Sequence, residues 1–363
     1  MPALSISGPI KVLGLALYGN RAASNRVRLG QFKNGLKKFG IDLEVQALLN
    51  NDYLESTFIG VSPPIGKVTL SVFERIRTLL TLKDYDLIIV HCELFPFFPA
   101  WVEKLLLRIP YIYDFDDAWF LRYQIGRFAS LQPILGNKFN HTLAGASAVI
   151  AGNSYLADHA SKFNLNVVQL PSVVDTNRYL IKERKPNSIF TVGWIGSPSS
   201  NNYLAHLIEP LERLALSMPL RFIAIGGGKV ALIEGVEVVE KPWNESTEID
   251  EINKFDVGVM PLPDDDWARG KCGYKLIQYM ACGVPVVASN VGANKDIVSS
   301  DLGFLVGNSQ EWVMALEKLG TDQALRISMG NAARRRVELY FSLVNSIPKM
   351  AKLIHQIVNS GSI

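Results

Sequence analysis

The sequence predicts an α/β protein built from two doubly wound, parallel-sheet domains, and three observations predict it. Short, continuous apolar runs recur along the chain, as strands buried on both faces require. Amphipathic stretches separate these runs in a βαβα rhythm. The rhythm breaks once, near Leu170–Ser188, where Pro171, Pro186 and the charged run Lys182–Lys185 interrupt it, and then begins again. A chain of 363 residues exceeds one ordinary core and fits two.

Taken in order, Ile10–Leu17 reads as a strand and Ser24–Phe39 as a helix with Val27, Leu29, Phe32 and Leu36 on its apolar face. Strands are expected at Ile41–Leu48, Leu87–Val90, Tyr111–Phe115 and Ala148–Ala151, with helices over Phe73–Leu82 and Pro99–Arg108. The second cycle reads strand Phe190–Ile195, helix Asn201–Ser217, and strand Leu220–Ile225 ending in Gly226-Gly227-Gly228. Strands at Val236–Val239, Val257–Met260 and Val284–Ala288 complete it. Ser328–Ile363 has a helical pattern, with a break expected just before Pro348, whose ring and missing N–H oppose a helix. The expected layout is a domain over 1–172, a linker over 173–188, a second domain over 189–345, and a helix over 346–363 crossing back to the first. Such tandem domains leave a cleft faced by the carboxyl ends of both sheets, and closure over a substrate excludes water.

Composition narrows the function. Hydrophobic residues make up 48% and charged residues 20%, which describes a globular chain. A net charge of +3 is too small for a nucleic acid partner, which needs a concentrated basic face, but it suits anionic small ligands or a local basic patch on a membrane. Cys92, Cys272 and Cys282 form no CxxC pair and imply a reducing compartment. Ile10–Leu17 lacks the basic lead and cleavage site of a secretory signal, and no run approaches the length of a membrane span. The expectation is a cytoplasmic protein, with peripheral contact on the inner membrane face left open.

Asp256–Gly292 carries the clearest chemistry. It reads as a strand (Val257–Leu262), a polar loop, a helix from about Gly273 to Cys282, a Gly-Val-Pro turn and a second strand (Val284–Ser289). A loop and helix start beyond the carboxyl end of a buried parallel strand is where open α/β sheets bind ligands. Lys271 and Lys275 stand at that helix start. Exposed amides, the positive helix end and two ammonium groups there suit a phosphate or diphosphate.

At these residues a family resemblance appears. GWIGSPSSNNYL (Gly193–Leu204), FDVGVMPLPDDDWARGKCGYKLIQYMACGVPVVAS (Phe255–Ser289), NAARRRVELYFSL (Asn331–Leu343) and LPSVVDTNRY (Leu170–Tyr179) resemble family-4 retaining glycosyltransferases (glycosyltransferase group 1) of the GT-B fold. The resemblance covers most of the C-terminal half; the N-terminal half matches mainly in rhythm. It implies two Rossmann-like domains, the second binding a nucleotide-diphosphate sugar and the first an acceptor. Transfer would be metal-independent and retain configuration, with a glycan or lipid-linked glycan as acceptor, as in cell-surface polysaccharide synthesis. Lys271 and Lys275 would neutralise the leaving diphosphate as charge grows on it. Gly196 and Ser197 would lie near the diphosphate, and Gly273 would let the backbone approach it. Tyr274 and Gln278 complete the expected donor set. The sequence departs from the family at the usual glutamate pair, where Gly270 and Gln278 stand, and at the basic residue after the Gly-Ser loop, where Asn201 and Asn202 stand. Gln278 would still hydrogen-bond a ribose hydroxyl, and Asp264, Asp265 or Asp266, or else a backbone amide, would substitute for the carboxylate missing at Gly270.

Further candidates lie in the first half. Tyr113-Asp114-Phe115-Asp116-Asp117 follows a strand and has the look of the Asp-x-Asp metal site of the other glycosyltransferase fold, but a second Rossmann-like half has no place in that fold, so no metal is expected. Asp116 and Asp117 are instead acceptor-side catalytic candidates, against a competing role as helix caps. His91 beside Glu93 would touch an acceptor or serve as a hydrogen-bonded structural residue. The other four histidines have no metal spacing. Gly19, Asn20 and Arg26 open the first helix without a GxGxxG fingerprint, so a nicotinamide or flavin is not expected, and Arg26 would reach an anion or lie on a solvated helix face. Gly226 and Gly227 would let a base or ribose lie close. Cys272 invites a nucleophile role but has no base near it in sequence. Arg334–Arg336 read as a solvated helix face or a lipid contact, and Phe95, Phe97, Phe98 and Trp101 as core or as an apolar lip. Two other functions remain open: an inactive nucleotide-binding module, motivated by Gly270 and Gln278, and a sugar-nucleotide 2-epimerase.

Overall fold

The computed structural model describes residues 8–58, 61, 65–182 and 189–360. Two six-stranded parallel sheets organise two compact units. The first unit runs to Ser172 and regains the chain from Leu343; the second is Val173–Ser342. Residues 183–188 of the expected linker lie outside the described residues.

In the first unit β1 (Ile10–Tyr18), β2 (Ile41–Leu49), β3 (Leu87–His91), β4 (Tyr111–Phe115), β5 (Ala148–Ala151) and β6 (Val167–Gln169) lie in the order β2-β1-β3-β4-β5-β6. In the second, β7 (Phe190–Ile195), β8 (Leu220–Ile225), β9 (Glu237–Lys241), β10 (Val257–Met260), β11 (Val286–Ser289) and β12 (Gly303–Val306) lie in the order β12-β11-β10-β7-β8-β9. Most central strands are buried along their whole length, as the continuous apolar runs require. Strand order reverses between β1 and β3 in one sheet and between β7 and β10 in the other. Consecutive loops there leave on opposite faces and open a crevice beyond the strand ends.

Several elements differ from the sequence reading. The helix expected over Ser24–Phe39 is three short turns, Ala23–Arg28, Gly30–Phe32 and Lys33–Lys37, because Gly30 and Gly35 weaken it. Pro198–Leu207 is 3₁₀ before the α-helix Ile208–Ala215. Strands β6 and β12, which the sequence reading did not assign, are only three and four residues long and partly buried. The C-terminal break falls at Phe341–Ser342, between helices Gln323–Tyr340 and Leu343–Ser360, and Pro348 sits inside the second. Its sixth position places it just past the first turn, where little of the N–H ladder is lost. That helix belongs to the first unit, where His355 Nε2 lies 2.9 Å from the Phe39 carbonyl. The chain enters and leaves the second unit side by side, with the Val174 N–H donating to the Phe341 carbonyl at 3.0 Å.

Candidate functional site

In the second unit, the loops after β7, β8 and β10 gather around one buried indole. A Cβ on Gly196 would sit 2.3 Å from the Trp194 ring, and one on Gly227 would sit 2.5 Å from it. Glycine at both positions therefore lets the backbone fold down onto Trp194. Gly226, with φ +79°, packs against the Gly196 carbonyl and Trp243. Lys275 Nζ stands 5.6 Å from the centre of the Trp194 ring, so the structure brings together Gly196, Gly226, Gly227 and Lys275. Ser197 begins the 3₁₀ turn, its hydroxyl 2.8 Å from that of Ser199. Lys271 lies one loop away, with Nζ 5.7 Å from the Trp267 ring centre.

Helix Tyr274–Ala281 starts at Gly273, whose φ of +64° is left-handed and whose added Cβ would meet Ile297 at 2.3 Å. Only glycine fits there. The helix is held in place through Gln278. Its Nε2 donates to the Tyr179 hydroxyl at 2.8 Å and lies 3.5 Å from Glu248. Tyr179 donates in turn to Glu248 at 2.9 Å, as does the Trp243 indole at 2.8 Å, and Tyr274 also hydrogen-bonds Tyr179. Gln278 is thus anchored inside the unit, and the carboxylate beside it is Glu248, which the sequence reading did not single out. Nothing local in NESTEIDEI distinguishes Glu248 from its acidic neighbours; only folding selects it.

Three aspartates expected to stand in for a carboxylate at Gly270 are committed elsewhere. Asp265 caps the turn Asp266–Arg269 by accepting from the Ala268 N–H, while Asp264 and Asp266 pair with Arg269. Cys272 is buried, its thiol directed to the Gly270 carbonyl at 3.8 Å, which suits a packing residue. Arg334 is not a solvated residue. It donates to the carbonyls of Thr176, Tyr179 and Ala281 and ties the entering chain to the end of the helix that carries Lys275.

The first unit builds a different kind of site. The β3–β4 register sets His91 beside Asp114. Asp114 is fully buried and receives a two-pronged ion pair from buried Arg28, whose NH1 also donates to the Leu170 carbonyl at 2.8 Å. His91 Nδ1 lies 2.8 Å from the Asp114 carboxylate. Burial alone would push the Asp114 pKa up, but Arg28 and the His91 hydrogen bond outweigh it and hold it at about 2. Burial opposes charge on His91, yet Asp114 and Asp116 prevail and raise its pKa. Asp116, rising from β4, is raised by burial against the pull of His91. Asp114 is therefore a partner of His91 and Arg28 rather than one arm of an Asp-x-Asp pair. The turn Trp119–Leu121 begins at Ala118, whose own side chain offers no cap.

Gly19 packs tightly on Asn51, Asn20 accepts from Asn51 at 2.7 Å, and Arg26 folds onto the Asn20 and Arg21 carbonyls at 3.0 and 2.7 Å. Arg26 thereby shapes its own loop, and Arg28, two residues on, supplies the buried guanidinium. An arginine in a helix start gives no sequence sign of which turn faces inward. Of the aromatic cluster, Phe95 is core, Phe98 is half-buried, and Phe97 and Trp101 are exposed.

Residues 187–322 match the family model described as glycosyl transferases group 1. The second unit carries a group 1 glycosyltransferase domain. Over 199 residues the chain is 29% identical to a phosphatidyl-myo-inositol mannosyltransferase of Propionibacterium freudenreichii, covering 53% of this chain and 47% of that protein. It therefore spans about half the length of that relative. Among solved structures, sucrose-phosphate synthase of Thermosynechococcus elongatus superimposes with a TM-score of 0.71 at 15% identity over 97% of this chain and 100% of that one. Anabaena HepE in complex with UDP and glucose superimposes with a TM-score of 0.68 at 17% identity over 95% and 99%. These likenesses, with the two parallel sheets, show the GT-B fold.

Proposed function

We propose that the protein is a retaining glycosyltransferase that moves a sugar from a nucleotide diphosphate to a glycan or lipid-linked glycan. The carrying observation is the convergence of Gly196, Gly226, Gly227 and Lys275 about Trp194 at a switch point of the second sheet. The absence of side chains at these glycines leaves room for a phosphate at close range, and Lys275 with Lys271 offsets the charge that develops on the leaving diphosphate. Two ammonium groups do the work that a metal does elsewhere, so the donor step is metal-independent. Glu248, held by Tyr179 and Trp243 beside Gln278, supplies the carboxylate missing at position 278 from the glutamate pair of the family that the sequence resembles. Asp116 faces the acceptor, and buried His91, oriented by Asp114, lies behind it. Arg28 and Asp114 are positioning residues.

The acceptor side is supported by the surface of the first unit. Helix Ile65–Leu80 exposes Leu70 and Phe73 with Arg77, and its neighbour Ala100–Leu106 exposes Trp101 and Leu105 with Lys104. Aromatic, aliphatic and basic groups on adjacent helices suit the headgroup layer of an anionic membrane, as a lipid-linked acceptor requires. Among the described residues no helix is long and apolar enough to cross a membrane.

The deciding experiment is calorimetry with UDP, GDP, ADP and dTDP, each with and without magnesium. One nucleotide should bind without metal, and Lys271→Ala with Lys275→Ala should weaken it by about 100-fold or more, the loss of two charge-assisted contacts. Failure of every nucleotide to bind overturns the reading. Gly270, which offers no side chain, motivates the second reading, a binding module without turnover; nucleotide binding with no transfer to any acceptor would establish it.

A further inference from the structure

Among the described residues, one group of three unlike donors is drawn together. His91, Cys92 and Asp116 place their ligand atoms within 4.8 Å of one another at the carboxyl ends of β3 and β4. Cys92 Sγ lies 3.1 Å from His91 Nε2 and 3.8 Å from Asp116 Oδ1, which is 3.9 Å from the same Nε2. The point equidistant from three atoms so spaced lies about 2.1 Å from each, close to zinc–nitrogen and zinc–oxygen bond lengths and a little under zinc–sulfur.

We propose that these three residues form a site for a borderline-soft divalent cation, zinc by its donor set. Imidazole, thiolate and one carboxylate are zinc ligands, whereas magnesium and calcium require several oxygens. Three features show that the site is built. Asp114 takes the Nδ1 side of His91, so the nitrogen directed at Cys92 and Asp116 is Nε2, and a carboxylate behind a ligating histidine is the usual support in zinc centres. Arg28 holds Asp114 ionised and in place. Cys92 adopts a φ of +65°, uncommon for a residue with a side chain, in the turn that leaves its sulfur against Nε2. The charge balance agrees: Asp114, Asp116 and Asp117 face the cluster against Arg28. A divalent cation offsets that excess. Binding breaks the Cys92 S–H bond, releases its proton to solvent, and forms bonds to sulfur, Nε2 and Oδ1. Asp116 is 16% exposed, so water enters there to fill a fourth position.

This site does not depend on the donor reading, since its ligands lie in the other unit. Its consequence does: zinc would withdraw His91 and Asp116 from an acceptor and suppress transfer. Binding and transfer are therefore read separately. Chelator-treated full-length protein is titrated with cobalt and then zinc. One equivalent of cobalt should give a sulfur-to-cobalt charge-transfer band that zinc bleaches. The band should vanish in Cys92→Ser, and Asp114→Asn should weaken zinc by about 10- to 100-fold. Asp116→Asn, at the exposed rim, tests the site without disturbing the buried pair and should weaken zinc with melting temperature unchanged. No thiolate band in the wild-type protein overturns the proposal. So does a band that survives in Cys92→Ser, or zinc affinity unchanged in Asp116→Asn.

Discussion

Behind the strand ends of the first unit lie buried charges: Arg28 with Asp114 and His91, and Lys138 between Glu93 and Glu103 at 2.7 and 3.0 Å. Behind those of the second lie an indole, a phenol ring and glycines, with Glu248 and Gln278 as the buried polar pair nearest the loops. The sheets are alike, yet one unit fixes charged side chains at its strand ends and the other clears space around its backbone. Charged relays give directional groups whose protonation is set by their neighbours. Glycine backbone over a packed ring gives a rigid floor that no side chain crowds. An acceptor hydroxyl needs the first and a diphosphate the second.

Breaking a buried relay should have the largest effect. Lys138→Met leaves Glu103 without its cation and Glu93 with Arg122 alone, at 3.3 Å, and chemical denaturation should register a loss of about 3–5 kcal/mol. A loss under about 1 kcal/mol would mean that the relay is not a stability element and would weaken the contrast. In the second unit, Gly273→Ala drives a Cβ into Ile297 and strains a left-handed residue, costing about 1–3 kcal/mol. Nucleotide affinity should fall with it, and Ile297→Ala in the same chain should recover part of the stability by removing the clash while the strain at φ persists.

A pH series sharpens the contrast further. His159 stacks on Phe120 with ring centres 3.6 Å apart, and burial pushes its pKa down to about 4. A depressed histidine contributes its full stability above its ordinary 6.5 and loses it as pH falls through about 4. Wild-type protein should therefore lose stability relative to His159→Gln between those values, as read by melting temperature across the series. A constant gap would show the ring to be solvated. The smallest effect belongs to Arg26→Ala, within about 1 kcal/mol, because it removes only loop-closing bonds to two carbonyls at an exposed site; nucleotide affinity should not change. A large loss of affinity would return Arg26 to the anion-binding set.

The sequence by itself determined the two-sheet plan, most strands and the ligand loop around Lys271 and Lys275. Each is written locally: a fully buried strand must be continuously apolar, and a helix start beyond it must be polar. It also marked Gly226, Gly227 and Gly273 as positions where a missing side chain lets another group come close, while Gly196 entered only through the family resemblance. Only the tertiary structure decided which charges meet. Arg28 reaches Asp114 across 86 residues and Gln278 reaches Tyr179 across 99, separations at which sequence carries no register. Arg26 and Arg28, or Glu245 and Glu248, are indistinguishable as residue types. What separates them is whether folding desolvates the group, because a buried charge must find its partner while an exposed one is satisfied by water.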